Sequence, residues 1–135
     1  MLSPSVETLR LSLHVLAATV WVGGQLTLAG LVPGLRSIDP DLPRRMARRF
    51  NRIAWPAFGA LVVTGICNLL AEKVSDKSTA YQVTLFVKLL VVALSGVAAW
   101  AHSTTRNKAV LAIGGALGAL SALAALFLGV LLTGN

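Results

Sequence analysis

The chain of 135 residues is 56% hydrophobic and only 13% charged, whereas about a quarter of the residues in soluble domains carry a charge. This composition excludes an ordinary soluble domain and predicts a polytopic membrane protein of one domain, residues 1–135. A lone cysteine, Cys67, excludes an intramolecular disulfide and a CxxC motif. The net charge of +7 does not indicate nucleic-acid binding, because most basic residues cluster beside one membrane span.

The first predicted span covers residues 9–32 and ends near Pro33 and Gly34. Residues three, four and seven apart share a helix face, so one stripe of this span is small, polar and aromatic. It contains His14, Ala17, Ala18, Trp21, Gly24 or Gln25, and Leu28. Small residues allow transmembrane helices to approach closely, so we expect this stripe to face inward. An imidazole in lipid is costly unless it is covered, which makes His14 a candidate site residue.

An arginine-rich segment follows the first span. Asp41, Leu42 and Pro43 are typical of a helix start, and we predict a basic amphipathic helix in the membrane interface between spans 1 and 2. Its basic face consists of Arg44, Arg45, Arg48, Arg49 and Arg52. Two interpretations stay open. The arginines bind anionic lipid headgroups or an acidic partner, or they only set the topology.

The next two spans, predicted at residues 53–70 and 81–102, contribute further polar residues. Thr64 and Asn68 share a helix face near the end of the second span. In the third span Lys88, Ser95 and His102 follow one another at steps of seven and share a stripe. A lysine within a span is a candidate functional residue. His102, at the end of its span, needs no function to explain it.

The fourth span, predicted at residues 109–132, carries no charge and repeats small residues at small-xxx-small spacing. Such a helix packs closely against a neighbour, either inside one bundle or between protomers. Together the four spans predict an all-α fold, an integral membrane four-helix bundle.

The positions of the basic residues predict the orientation of the spans. Most of the twelve Lys and Arg residues lie in the first and third loops. Cytoplasmic loops are the more basic ones, so both termini are expected outside the cytoplasm, in a plasma membrane. With a rise of about 1.5 Å per residue, His14, Lys88, Thr64 and Asn68 then lie at similar depth in the outer half of the bundle. We expect them to form one polar pocket. Its lining is expected to include Trp21, Gly24 and Ser95.

The run from His14 through Trp21 to Gly24, followed by Pro33, resembles the first helix of the copper-resistance D (CopD) domain. The resemblance continues in Arg48-Arg49-Phe50, Thr64-Gly65 and Val87-Lys88-Leu89-Leu90. A related superfamily, the HemJ-type protoporphyrinogen oxidases, shares the four-helix plan, with an analogous histidine on helix one and lysine on helix three.

The CopD resemblance implies an inner-membrane protein that contributes to copper transport or homeostasis, with His14 and Lys88 as the candidate ligand residues. The HemJ resemblance implies haem b instead, with His14 as its axial ligand and Lys88 near a propionate. A third hypothesis is an accessory membrane subunit without a ligand. The chain is shorter than full-length CopD proteins, which favours a homo-oligomer or a membrane partner.

An enzyme that acts by hydrolysis or phosphoryl transfer is disfavoured by the residues themselves. No carboxylate lies within a predicted span, and the sequence has no nucleophile–base pair and no phosphate-binding loop. Copper accepts imidazole nitrogen and soft sulfur ligands. Copper transport or homeostasis, which the CopD resemblance implies, is the first functional hypothesis.

Overall fold

A computed structural model describes residues 3–134 of the chain, which fold as helices without any strand in that range. Four helical stretches in it are long and apolar enough to cross a membrane. The first stretch contains α1, a π turn and α2 without a break, and α3, α4 and α5 follow. Their bounds are α1 Val6–Ala18, the π turn Thr19–Gly23, α2 Gly24–Ile38, α3 Leu42–Ala71, α4 Thr79–Thr104 and α5 Lys108–Thr133. The predicted all-α class with four spans is confirmed.

The helices form two compact units, one up to Lys73 and one from Val74 onward. In the first unit α1 and α2 pack against α3, which follows after a turn of only three residues, 39–41. In the second unit α4 packs against α5 after an equally short connection, 105–107. Each unit is therefore an antiparallel helical hairpin, as such short connections require.

The helices begin at residues that satisfy their unpaired backbone N–H groups. Ser5 and Thr8 form a reciprocal capping box at the start of α1. The Ser78 hydroxyl accepts a hydrogen bond from the Tyr81 N–H at the start of α4. The Asn107 side chain accepts from the N–H groups of Ala109 and Val110 at the start of α5. Pro43 lies in the first turn of α3, as expected.

The first span is longer than the sequence predicted. The helix continues through Pro33 and ends at Ile38, so the prediction of an end near Pro33 and Gly34 was wrong. A proline inside a helix removes one backbone hydrogen bond. A helix end would leave several carbonyl groups unpaired, so continuing costs less.

The arginine-rich segment is not a separate interfacial helix. Residues Leu42–Ala71 form one uninterrupted helix of 30 residues, and the arginines occupy its first part. No glycine or proline separates Arg44 from Trp55, so nothing in the backbone favours a break there. The basic segment is an extension of the second span.

The buried residues of the helices are mostly small. They are Ala17, Ala54, Ser95, Gly96, Ala98, Gly114, Gly118, Ser121 and Ala122, together with Trp21 and Val22. Large apolar side chains such as Phe127, Val130 and Leu70 are exposed instead. This distribution is the reverse of a soluble domain and is typical of helices that pack through small residues while lipid covers the larger ones.

Candidate functional site

His14 and Thr64 meet across the first hairpin. The His14 Nδ1 atom lies 2.7 Å from the Thr64 Oγ1 atom, and the two side chains are half-buried. The ring also lies beside Gly65, where an added Cβ would be 3.6 Å from His14 Cε1. The imidazole therefore packs directly against the backbone of α3 at this position.

The contacts of Thr64 determine which His14 nitrogen carries the hydrogen. The Thr64 hydroxyl donates to the Ala60 carbonyl oxygen at 2.6 Å, and a hydroxyl has only one hydrogen to donate. It must therefore accept a hydrogen bond from His14 Nδ1–H. The neutral ring then has its lone pair on Nε2, which is the atom through which this tautomer binds a metal ion.

Two further polar residues lie one helical turn away from this pair. Arg10 precedes His14 by four residues, and Asn68 follows Thr64 by four, so each shares a face with its neighbour. Because the helices are antiparallel, both residues lie on the same side of the His14–Thr64 pair. Among the described residues, the buried Arg10 Nε and Asn68 Oδ1 atoms have no hydrogen-bond partner. The polar cluster of the first unit therefore comprises Arg10, His14, Thr64 and Asn68.

An aromatic cluster adjoins the polar cluster along the hairpin. The Trp21 ring is 4% exposed and lies 4.4 Å from the Phe58 ring and 5.5 Å from the Trp55 ring, centroid to centroid. One turn further, a Cβ added to Gly24 would collide with the Phe50 ring. Trp21 and Gly24 thus fix the approach of the first span to α3, which holds His14 opposite Thr64.

The sequence-predicted residues of α4 lie in the second unit, and all of them face α5. Lys88 Nζ is 3.2 Å from the point that a Cβ on Gly129 would occupy. The Ser95 hydroxyl donates to the Gly118 carbonyl at 3.3 Å. His102 Nδ1 lies 2.6 Å from the Leu111 carbonyl oxygen, to which it donates. Their stripe is therefore the packing face of this hairpin. That Lys88 shares a pocket with His14 stays a prediction.

The metal-binding donors of the described residues are few. No three His, Cys, Asp or Glu side chains within residues 3–134 lie close enough to hold a metal ion. Cys67 is exposed and its thiol is free. Imidazole from His14 is thus the one nitrogen donor that the polar cluster offers a soft or borderline metal ion.

Sequence reasoning missed Arg10 and Val22. Arg10 carried a signal, since it lies four residues before His14 on the predicted inward stripe. Val22 did not, because it lies off the predicted inward stripe, within a π turn that no local pattern predicted.

A comparison with known protein families matches most of the chain to one family. The model of the copper resistance protein D (CopD) family matches residues 44–134, from the arginine-rich part of α3 to the end of α5. His14 and the rest of the first span precede this range, so their likeness to a CopD first helix rests on the sequence motif. Neither the curated proteins nor the solved structures contain a match to the chain. With its four membrane-spanning helices, the chain is a multi-pass membrane protein that belongs to the copper resistance protein D family.

Proposed function

We propose that this protein contributes to copper transport or homeostasis, and that a copper ion contacts His14 in the polar cluster of the first unit. Membership of the copper resistance protein D family supports the copper part of the proposal. The hydrogen bond between His14 Nδ1 and Thr64 Oγ1 supports the choice of residue. That bond is the single observation on which the site depends.

The orientation of the His14 ring supports a ligand role. A metal-binding histidine generally donates its second ring N–H to an oxygen, which fixes the ring and its tautomer. Thr64 supplies this oxygen, and the Ala60 carbonyl in turn fixes the Thr64 hydroxyl. An intramembrane imidazole with such a support is arranged as a ligand would be.

The number of donors favours a transient contact over storage. A single imidazole binds copper weakly, since tight sites use several nitrogen or sulfur donors. The guanidinium of Arg10, one turn away, adds a positive charge that disfavours long residence of a cation. We therefore expect copper to pass the cluster or to receive its other ligands from a second copy or a membrane partner. Lys88 is the second candidate residue, in the other unit.

The test measures copper in vesicles that contain the purified full chain. With copper(I) supplied under reducing conditions, we expect His14→Ala to abolish protein-dependent copper uptake. Thr64→Val removes the oxygen that orients the ring and should lower protein-dependent copper uptake roughly tenfold. Thr64→Ser keeps the hydroxyl and should behave as the wild type.

The controls separate a ligand role from a structural one. His102→Ala removes the other histidine, whose partner is a backbone carbonyl, and should leave copper uptake intact. Thermal unfolding of every variant checks that the hairpins remain folded. Uptake that is unchanged in a folded His14→Ala protein would disprove the proposed contact. An absorption band of haem that disappears in the same variant would favour the haem hypothesis.

A further inference from the structure

The first part of α3 carries a set of exposed arginines. Arg45 pairs with Asp39 in the preceding turn. The other four have no carboxylate partner among residues 3–134 and are exposed. They are Arg44, Arg48, Arg49 and Arg52. No acidic residue occurs within α3 itself, so these charges are not neutralised along their own helix.

The opposite side of the same segment is already occupied. Phe50 packs on Gly24 of α2, and Met46 is half-buried. The apolar face that would hold a separate helix flat on a membrane is thus used for packing inside the hairpin. The arginines must point away from the first unit, into whatever surrounds α3.

Because α3 is continuous, its arginines are stacked along the helix axis instead of spread over the membrane plane. Arg44 and Arg52 are eight residues apart, which corresponds to about 12 Å along the axis. The headgroup region of one leaflet is about 5–8 Å thick. The row therefore covers the full depth of the headgroups and reaches the edge of the acyl chains.

The exposed face continues with apolar and small residues below the arginines. Pro56, Gly59, Ala60 and Val63 follow Arg52 on the same exposed side of α3. An added Cβ at Gly59 would meet nothing within 4 Å, so the helix surface is open there. A cationic upper part and an apolar lower part on one face match the two parts of a phospholipid.

We propose that this face of α3 binds an anionic phospholipid, with its phosphate on the row Arg44, Arg48 and Arg52 and its acyl chains along the surface below. Guanidinium groups bind phosphate oxygens through two parallel hydrogen bonds, a geometry that lysine lacks. Free phosphate shares this chemistry but has no chains to cover the apolar part of the face. The occupant is therefore a lipid.

The experiment compares lipids that differ only in headgroup charge. The full chain in a zwitterionic detergent is titrated with phosphatidylglycerol or phosphatidylcholine of identical chains, and bound lipid is counted by native mass spectrometry. We expect selective retention of phosphatidylglycerol. The variant Arg44→Gln/Arg48→Gln/Arg52→Gln should lower its apparent affinity by on the order of a hundredfold. The matched control Lys73→Gln/Arg106→Gln/Lys108→Gln loses the same charge elsewhere and should bind as the wild type.

A second variant guards against loss of membrane insertion. Arg44→Lys/Arg48→Lys/Arg52→Lys keeps the charges that orient the protein and should still bind phosphatidylglycerol more weakly than the wild type, because lysine lacks the paired hydrogen bonds to phosphate. Equal binding of both lipids by the wild type would overturn the proposal, and so would wild-type affinity in the lysine variant. Full competition by inorganic phosphate would also overturn it, because the face would then be a site for free anions.

Discussion

At the scale of single residues, the contact between His14 and Thr64 carries most of the functional argument. Helix rise and topology predicted that the two residues lie at the same depth, and the structure joins them by a hydrogen bond. The direction of that bond was not predictable. It depends on the Ala60 carbonyl, a backbone group with no signature in the sequence.

Trp21 and Lys88 show which side-chain orientations the sequence could predict and which it could not. Trp21 was expected on the inward stripe and is buried against Phe58 and Trp55. For Lys88 the sequence left both an inward and an outward orientation open, because a lysine stem is long enough to reach either environment. Its amine lies against Gly129, which only the packing of α4 on α5 could decide.

Gly24 offers a direct test of the packing that supports the site. A methyl group added there collides with the Phe50 ring, so Gly24→Ala should destabilise the protein by about 1–3 kcal/mol through overpacking. Gly30 lies in the same helix with nothing within 4 Å of an added Cβ. Gly30→Ala should therefore be neutral or stabilising by up to about 1 kcal/mol. Thermal unfolding in detergent distinguishes the two.

A compensating substitution identifies the cause of the Gly24→Ala effect. Phe50→Leu removes part of the ring that the new methyl group meets, and the double variant should recover some of the lost stability. Equal unfolding temperatures of the Gly24→Ala and Gly30→Ala variants would contradict the close contact between α2 and α3 at Gly24.

At the scale of elements, the π turn is the feature that the sequence did not predict. A π turn contains an extra residue relative to an α-helical turn. Two consecutive residues of this turn, Trp21 and Val22, are both buried. Sequence periodicity assumes a constant angle per residue and therefore assigned only Trp21 to the inward stripe.

The π turn predicts an unusual tolerance to deletion. Removal of Thr19, an exposed residue, should convert the π turn into a regular α-helix and leave both His14 and Gly24 facing α3. Val63 is an exposed residue of the regular helix α3. This helix contains no extra residue that could compensate for the removal of Val63. That removal should rotate Thr64 by about 100° relative to Phe58.

Thermal unfolding of the two deletion variants measures this difference. The Val63 deletion should cost at least as much as the loss of a large core side chain, about 3 kcal/mol, and the Thr19 deletion clearly less. Equal losses would show that the π turn is required as such.

The existence of the helices was predictable from the sequence, whereas some of their ends were not. Existence and order of the four spans follow from their length and hydropathy, which packing does not change. The end of α2 at Ile38 and the continuity of α3 from Leu42 to Ala71 were not predicted, because Pro33 suggested a stop and the arginine-rich segment suggested a separate helix. Proline is tolerated inside membrane helices, so its usual value as a stop signal is lower in such a sequence.

At the scale of the whole molecule, the predicted orientation remains to be measured. Both termini are expected outside the cytoplasm, because the basic residues concentrate in the first and third loops. In a Cys67→Ser background, a cysteine at Ser75 should react with a membrane-impermeant maleimide added to intact cells. Cysteines at Ser37 and Ser103 should react only after the membrane is opened. All three serines are exposed.

The opposite labelling pattern would place the arginine-rich part of α3 outside the cytoplasm. The proposed lipid site would then face the other leaflet, and His14 would lie in the cytoplasmic half of its span. The copper proposal could survive such a result only with the direction of access reversed.

The short connections have a consequence for biosynthesis. Each hairpin is made from helices that follow one another directly, so all partners of His14 within the first hairpin have been translated once the ribosome passes Lys73. Compact units generally fold as they emerge, with the N-terminal one first. The imidazole then spends little time in lipid without its threonine, and the cell does not have to hold an uncovered polar helix until the last residue is made.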